Sequence, residues 1–126
     1  MNETNTRTIL IVDDSRVFRK MLIRFIGDQY TVIEAGNSEE CLKILADSKP
    51  KIDLGLIDLV MPGMDGFQLI KMIKKHPLYT DAPFAIVTTT TGTENIAKAV
   101  LAGACGYVMK PFEKETILKK INQFLK

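Results

Sequence analysis

The chain has 126 residues, 46% of them apolar and 25% charged, with a formal net charge of +2 at pH 7. That length suits one domain burying roughly two thirds of its unfolded surface, and so small a charge argues against nucleic acid or a membrane surface as partner. No apolar run approaches the roughly 18 residues of a bilayer span and no secretory leader opens the chain, which predicts a cytoplasmic protein with no membrane insertion. The polar opening MNETNTR is expected to be frayed over residues 1–7 of a domain that fills 1–126. Cys41 and Cys105 lie far apart, outside any metal-ligand spacing, and read as small buried hydrophobes.

Five short apolar runs follow in order: TILIV at 8–12, TVIEA at 31–35, IDLGLID at 52–58, FAIVT at 84–88 and GYVMK at 106–110. Each precedes a segment of helical periodicity. The first helix turns Val17, Phe18, Met21, Leu22, Phe25 and Ile26 to one face and should stop at a left-handed Gly27. The second opens on an Asn37/Glu40 capping box, buries Cys41, Leu42, Leu45 and Ala46, and ends before Pro50. The third spans about 66–75 with Phe67, Ile70 and Ile73 inward. The fourth spans about 93–102 with Ile96, Ala97 and Val100 inward, and the fifth about 114–125 with Ile117, Leu118, Ile121, Phe124 and Leu125.

Five strand–helix units predict an α/β fold, a doubly wound parallel sheet with helices on both faces. Runs one, three and four are the most continuously apolar and belong at the centre. Runs two and five carry polar residues and belong at the edges, which gives the order 2-1-3-4-5. Gly55, inside the third run, is expected to permit close packing against a helix.

Ligands of such sheets bind beyond the carboxyl ends of the strands, near the reversal of strand order. There stand Asp13 and Asp14, Asp58, Thr88 and Lys110. Singly they have bland readings: a helix cap, an acid reaching solvent, a β-branched strand residue, a loop dipeptide. Together they do not, because three clustered carboxylates repel one another unless a cation joins them. Oxygen-only ligands suit Mg²⁺, which keeps several waters and takes phosphate oxygens. An ammonium beside bound Mg²⁺ then makes sense if a phosphoryl group arrives. Asp58 is the expected nucleophile, forming an acyl phosphate, with the Val60 carbonyl turned toward the metal.

The motifs ILIVDDS, IDLVMPGMDGF, IVTT and GACGYVMKPF, in register from Thr8 to Lys126, resemble those of a two-component response regulator receiver domain, above all the single-domain chemotaxis type. The resemblance implies a (βα)5 flavodoxin-like sandwich. It implies phosphorylation of Asp58 to 4-aspartylphosphate by a histidine kinase, and Mg²⁺ on Asp13, Asp58 and the Val60 carbonyl, with Asp14 acting partly through water. Thr88 and Lys110 would hold the phosphoryl oxygens, Tyr107 would be the aromatic switch, and a downstream protein would read the face of helix four, strand five and helix five. It implies a cis peptide at Lys110–Pro111 as well. Val60 and Thr90 occupy the positions that tune phosphoryl lifetime. Val60 offers no hydrogen bond to an attacking water, which predicts slow self-dephosphorylation. Thr89 stands where the family commonly has Ala, which bears on the room in which Thr88 and Tyr107 move.

Competing functions leave different marks. An aspartyl-phosphate phosphatase of the haloacid dehalogenase type needs a DxD arrangement, whereas Asp13 and Asp14 are adjacent. A flavin carrier needs a first loop rich in Ser, Thr and Gly, whereas this one carries two acids that repel phosphate. A receiver fold that is never phosphorylated has no need of the full set of acids, hydroxyl and lysine. No output domain follows Lys126, so the chain either acts alone or is a receiver fragment of a longer regulator or hybrid kinase. His76, in a KKHP loop, is expected to be solvated, as are Lys71, Lys74 and Lys75; Met61 and Met64 are expected to anchor a loop.

Overall fold

A computed structural model describes residues 6–90 and 92–126. Five strands, β1 (Thr8–Val12), β2 (Thr31–Ala35), β3 (Leu54–Ile57), β4 (Phe84–Thr88) and β5 (Gly106–Met109), alternate with five helices: α1 (Arg16–Ile26), α2 (Ser38–Ser48), α3 (Gly66–Lys74), α4 (Thr93–Ala102) and α5 (Lys114–Phe124). The sheet is parallel in the order β2-β1-β3-β4-β5, as the sequence predicts. Alternate residues of β1 supply two cores, because successive side chains of a strand point to opposite faces. Leu10 and Val12 join Ile57, Leu69, Ile70 and Ala99 under α2, α3 and α4. Ile9 and Ile11 join Leu22, Ile26, Ile117 and Ile121 under α1 and α5.

Several sequence expectations are corrected. Gly55 makes room for the ring of Phe84 on the neighbouring strand rather than for a helix, since a Cβ there would overlap that ring. Val17 is 82% exposed, and Ala46 is exposed too. On α4, Ile96, Ala97 and Val100 face solvent while Ala99 and Ala102 are buried. Cys41 is buried and burial raises its thiol to about 12; Cys105, by contrast, is exposed.

Helix ends and loops differ in detail. Gly27 does take a positive φ of 71°, but its ψ of −154° is not left-handed helical, and the chain runs on into a 3-10 turn. Asn37 caps α2 as expected, yet the Glu40 carboxylate accepts from Gly36 N–H, one residue earlier than a capping box requires. The complete capping box belongs to α3, between Asp65 and Gln68. Residues 1–5 of the expected frayed segment lie outside the described residues. Arg7 is tied down, its carbonyl accepting from Thr31 N–H and its guanidinium donating to Leu125 O. Met61 is buried and Met64 half-buried, as loop anchors should be, and His76 is exposed. Lys71 and Lys75 are solvated, whereas Lys74 is half-buried and donates to Ala82 O at 2.8 Å. Tyr79, unassigned from sequence, is buried with its hydroxyl donating to Pro50 O at 2.7 Å.

Candidate functional site

Strand register places the site. Val12 pairs with Ile57, so the next residues, Asp13 and Asp58, stand side by side where both strands end, with Asp58 N–H donating to Val12 O at 2.8 Å. Thr88 pairs with Met109, so Lys110 follows at the same edge, its N–H donating to Thr88 O at 2.8 Å. The Lys110–Pro111 peptide is cis, as predicted. Gly66 lets the start of α3 close on this edge, because a Cβ there would lie 2.5 Å from Asp58 O.

Asp13, Asp14 and Asp58 each offer an oxygen within 4.8 Å of the others. Asp13 and Asp58 are buried and Asp14 is exposed. The Lys110 ammonium lies 2.6 Å from Asp13 Oδ2 and 3.9 Å from Asp58 Oδ1. Asp13 is held further by Ser15 N–H at its Oδ1, 2.8 Å, and by Arg19 Nη1 at its carbonyl, 2.5 Å. Burial pushes the Asp58 carboxyl above its usual range, and the Asp13 charge adds to this. The Lys110 charge and a hydrogen bond from Thr88 oppose it, and Asp14 adds a smaller push upward. A three-oxygen, hard-donor cluster whose charges crowd one another fits a divalent cation such as Mg²⁺. Val60 lies on the loop two residues beyond Asp58 and is 62% exposed.

The hydroxyl side is also assembled. Thr88 Oγ1 accepts from Thr90 N–H at 3.3 Å and lies 3.5 Å from Thr90 Oγ1. The Tyr107 hydroxyl donates to Thr90 O at 2.6 Å, with the ring half-buried. Thr89 is exposed. Asp13, Asp14, Asp58, Thr88 and Lys110 therefore gather at this edge of the sheet, with Val60, Thr89 and Thr90 on the loops that leave it, whereas Tyr107 lies within β5, paired with Ile86. Sequence reasoning missed Phe18, whose ring lies under the Lys110 ammonium at 3.8 Å, and Arg19, which joins Asp13 to Glu34. Phe18 carried no signal beyond apolar spacing. Arg19 was visible only as a charge on the polar side of α1.

A family profile for the response regulator receiver domain matches residues 9–122. The chain is 33% identical over 120 residues to the chemotaxis protein CheY of Halobacterium salinarum, covering 94% of this chain and 97% of that protein. It is 31% identical over 123 residues to the phosphate regulon transcriptional regulatory protein PhoB of Pseudomonas aeruginosa, covering 95% of this chain and 52% of PhoB. The positive alginate biosynthesis regulatory protein of the same organism is covered to 46% at 34% identity, so the chain spans about half the length of these two curated relatives. Among solved structures, Vibrio cholerae chemotaxis protein CheY4 superposes with a TM-score of 0.89 at 32% identity, over 95% of this chain and 99% of that one. Register, acid cluster, lysine and relatives agree: the chain belongs to the response regulator receiver domain family.

Proposed function

We propose that this domain is a phosphorylation-driven signalling switch of a two-component phosphorelay in the cytoplasm, accepting a phosphoryl group on Asp58 from a histidine kinase. One observation carries the reading: the Lys110 ammonium sits 2.6 Å from Asp13 and 3.9 Å from Asp58, inside a cluster of three carboxylates. A structural ion pair needs one acid. Here one cation faces two buried acids and an exposed third, an arrangement suited to an incoming anion.

In the proposed reaction an Asp58 carboxylate oxygen attacks phosphorus as the bond from phosphorus to the donor imidazole nitrogen breaks. The electron pair of that bond stays on the imidazole, which takes up a proton from water. Lys110, released from Asp13, meets the charge on one phosphoryl oxygen, and the Thr88 hydroxyl donates to another. Asp13, Asp14, Asp58 and the Val60 carbonyl would hold Mg²⁺, which would supply positive charge to the phosphoryl oxygens. The Thr88 hydroxyl now contacts Thr90, and Thr90 O accepts from Tyr107. Drawing Thr88 toward a phosphoryl oxygen loosens its hold on Thr90 and changes the footing of Tyr107. That offers a route to the α4, β5 and α5 face, where a downstream protein would bind.

The test is incubation with phosphoramidate and Mg²⁺ followed by intact mass and peptide mapping. The expected result is a gain of one phosphoryl group at Asp58, absent in Asp58→Asn. A wild-type protein whose mass never changes refutes the proposal.

A further inference from the structure

We infer that Phe18 is a positioning residue for Lys110, holding the ammonium over its ring face between Asp13 and Asp58; this rests on the function proposed above. Lys110 Nζ lies 3.8 Å from the Phe18 ring centroid, well inside the range of a cation–π contact. The same ammonium is 2.6 Å from Asp13 Oδ2 and 3.9 Å from Asp58 Oδ1, and its side chain is only 14% exposed. Phe18 is itself braced. Its N–H donates to Ser15 Oγ in the first turn of α1, and the Phe112 ring meets it edge-on at 5.8 Å and 78°. Phe112 lies two residues past Lys110, so the segment that carries the ammonium also carries the brace.

Lysine is a point charge on a flexible four-carbon stem, and fixing it costs much rotamer freedom. Asp13 alone would fix it on an acid that is not the phosphoryl acceptor. A ring face attracts the ammonium without adding a negative charge to a cluster that already holds three carboxylates. It also attracts over a broad area, so contact can persist while the ammonium moves from Asp13 toward a group on Asp58. Simple packing of an apolar side chain would fill the same space and do neither.

The test compares Phe18→Leu and Phe18→Met, which keep apolar bulk and lose the ring, with Phe18→Tyr, which keeps it. Two readouts are used. In NMR spectra the Lys110 ε-methylene protons should be shifted upfield by the ring in wild type and in Phe18→Tyr, and should return to ordinary lysine positions in Phe18→Leu. Phosphorylation by phosphoramidate with Mg²⁺ should slow about three- to tenfold in Phe18→Leu and stay near the wild-type rate in Phe18→Tyr. In a Lys110→Ala background, Phe18→Leu should cause no further slowing. Wild-type rates in Phe18→Leu, or equal slowing with and without Lys110, overturn the inference. If Phe18→Leu does not fold, Phe18→Met is judged by the same outcomes. If wild type takes no phosphoryl group, the proposed function falls, and the methylene shift alone decides whether the ring holds Lys110; unshifted wild-type protons overturn the contact.

Discussion

Replacing Asp58 with Asn should make the metal-free protein more stable at neutral pH. Burial raises the Asp58 carboxyl above its ordinary value of 3.8. A native-state value above the unfolded one means the fold holds the proton more tightly. That contribution is complete below about 3.8 and is lost as pH rises through the higher folded value, so ionised Asp58 weakens the fold at pH 7. The pairwise charges nearly cancel. At an effective dielectric of about 20, an Asp13 oxygen within 4.8 Å repels by about 3.5 kcal/mol, and Lys110 at 3.9 Å attracts by about 4 kcal/mol. Desolvation of a side chain only 10% exposed is left, and relieving part of it should contribute about 1–2 kcal/mol. For a chain of this size that is about 3–6 °C in melting temperature. Thermal melts in chelator from pH 3 to 7 should show the gap opening as pH rises. Mg²⁺ at ten times its dissociation constant adds about 1.4 kcal/mol to wild type and should close the gap. A variant less stable than wild type in chelator at pH 7, or a gap that ignores pH, refutes the reasoning.

Val60→Asn should speed loss of the phosphoryl group about fivefold, the worth of one hydrogen bond to the attacking water. Val60 is 62% exposed, so stability should stay within about 0.5 kcal/mol; phosphoryl decay that is unchanged or slower shows that Val60 does not limit water attack. Gly55→Ala should cost about 1–3 kcal/mol, because the new methyl overlaps the Phe84 ring in the centre of the sheet. Chemical denaturation checks it, and an unchanged midpoint means that the ring moves aside at little cost.

What the sequence makes legible is whatever strand register alone determines. Asp13, Asp58 and Lys110 each follow a strand whose neighbours are fixed by apolar content, so their convergence follows from topology. Side-chain partners across elements are harder to read. Phe18 and Lys110 are far apart in the chain, and nothing in the periodicity of α1 distinguishes a ring under a cation from a ring in a core. Gly55 was legible as a close approach, but its partner was not, because the chain does not reveal which large side chain crosses from the next strand. On α4 the spacing of Ile96 and Val100 reports an apolar face. It does not report whether this domain covers that face, and the small Ala99 and Ala102 are what seat the helix.

The exposed side of α4 bears on how a charge event at Asp58 is read at a distance. Ile96 is 48% exposed, Val100 67% and Leu101 81%, and Met109 on neighbouring β5 is 38% exposed. Single exposed apolar residues are ordinary, but these sit on one helix and the strand beside it, which also carries Tyr107. Tyr107 is tied at its hydroxyl to the carbonyl of Thr90, and Thr90 N–H is tied to Thr88 Oγ1. Two hydrogen bonds therefore span from the hydroxyl beside Asp58 to the ring at the edge of this surface. A net hydrogen bond is worth about 1 kcal/mol, so new charge-assisted contacts to a phosphoryl group are enough to redistribute these states by about an order of magnitude. Under the proposed function Thr90, tied to Thr88 on one side and to Tyr107 on the other, would carry the chemistry of Asp58 toward this face.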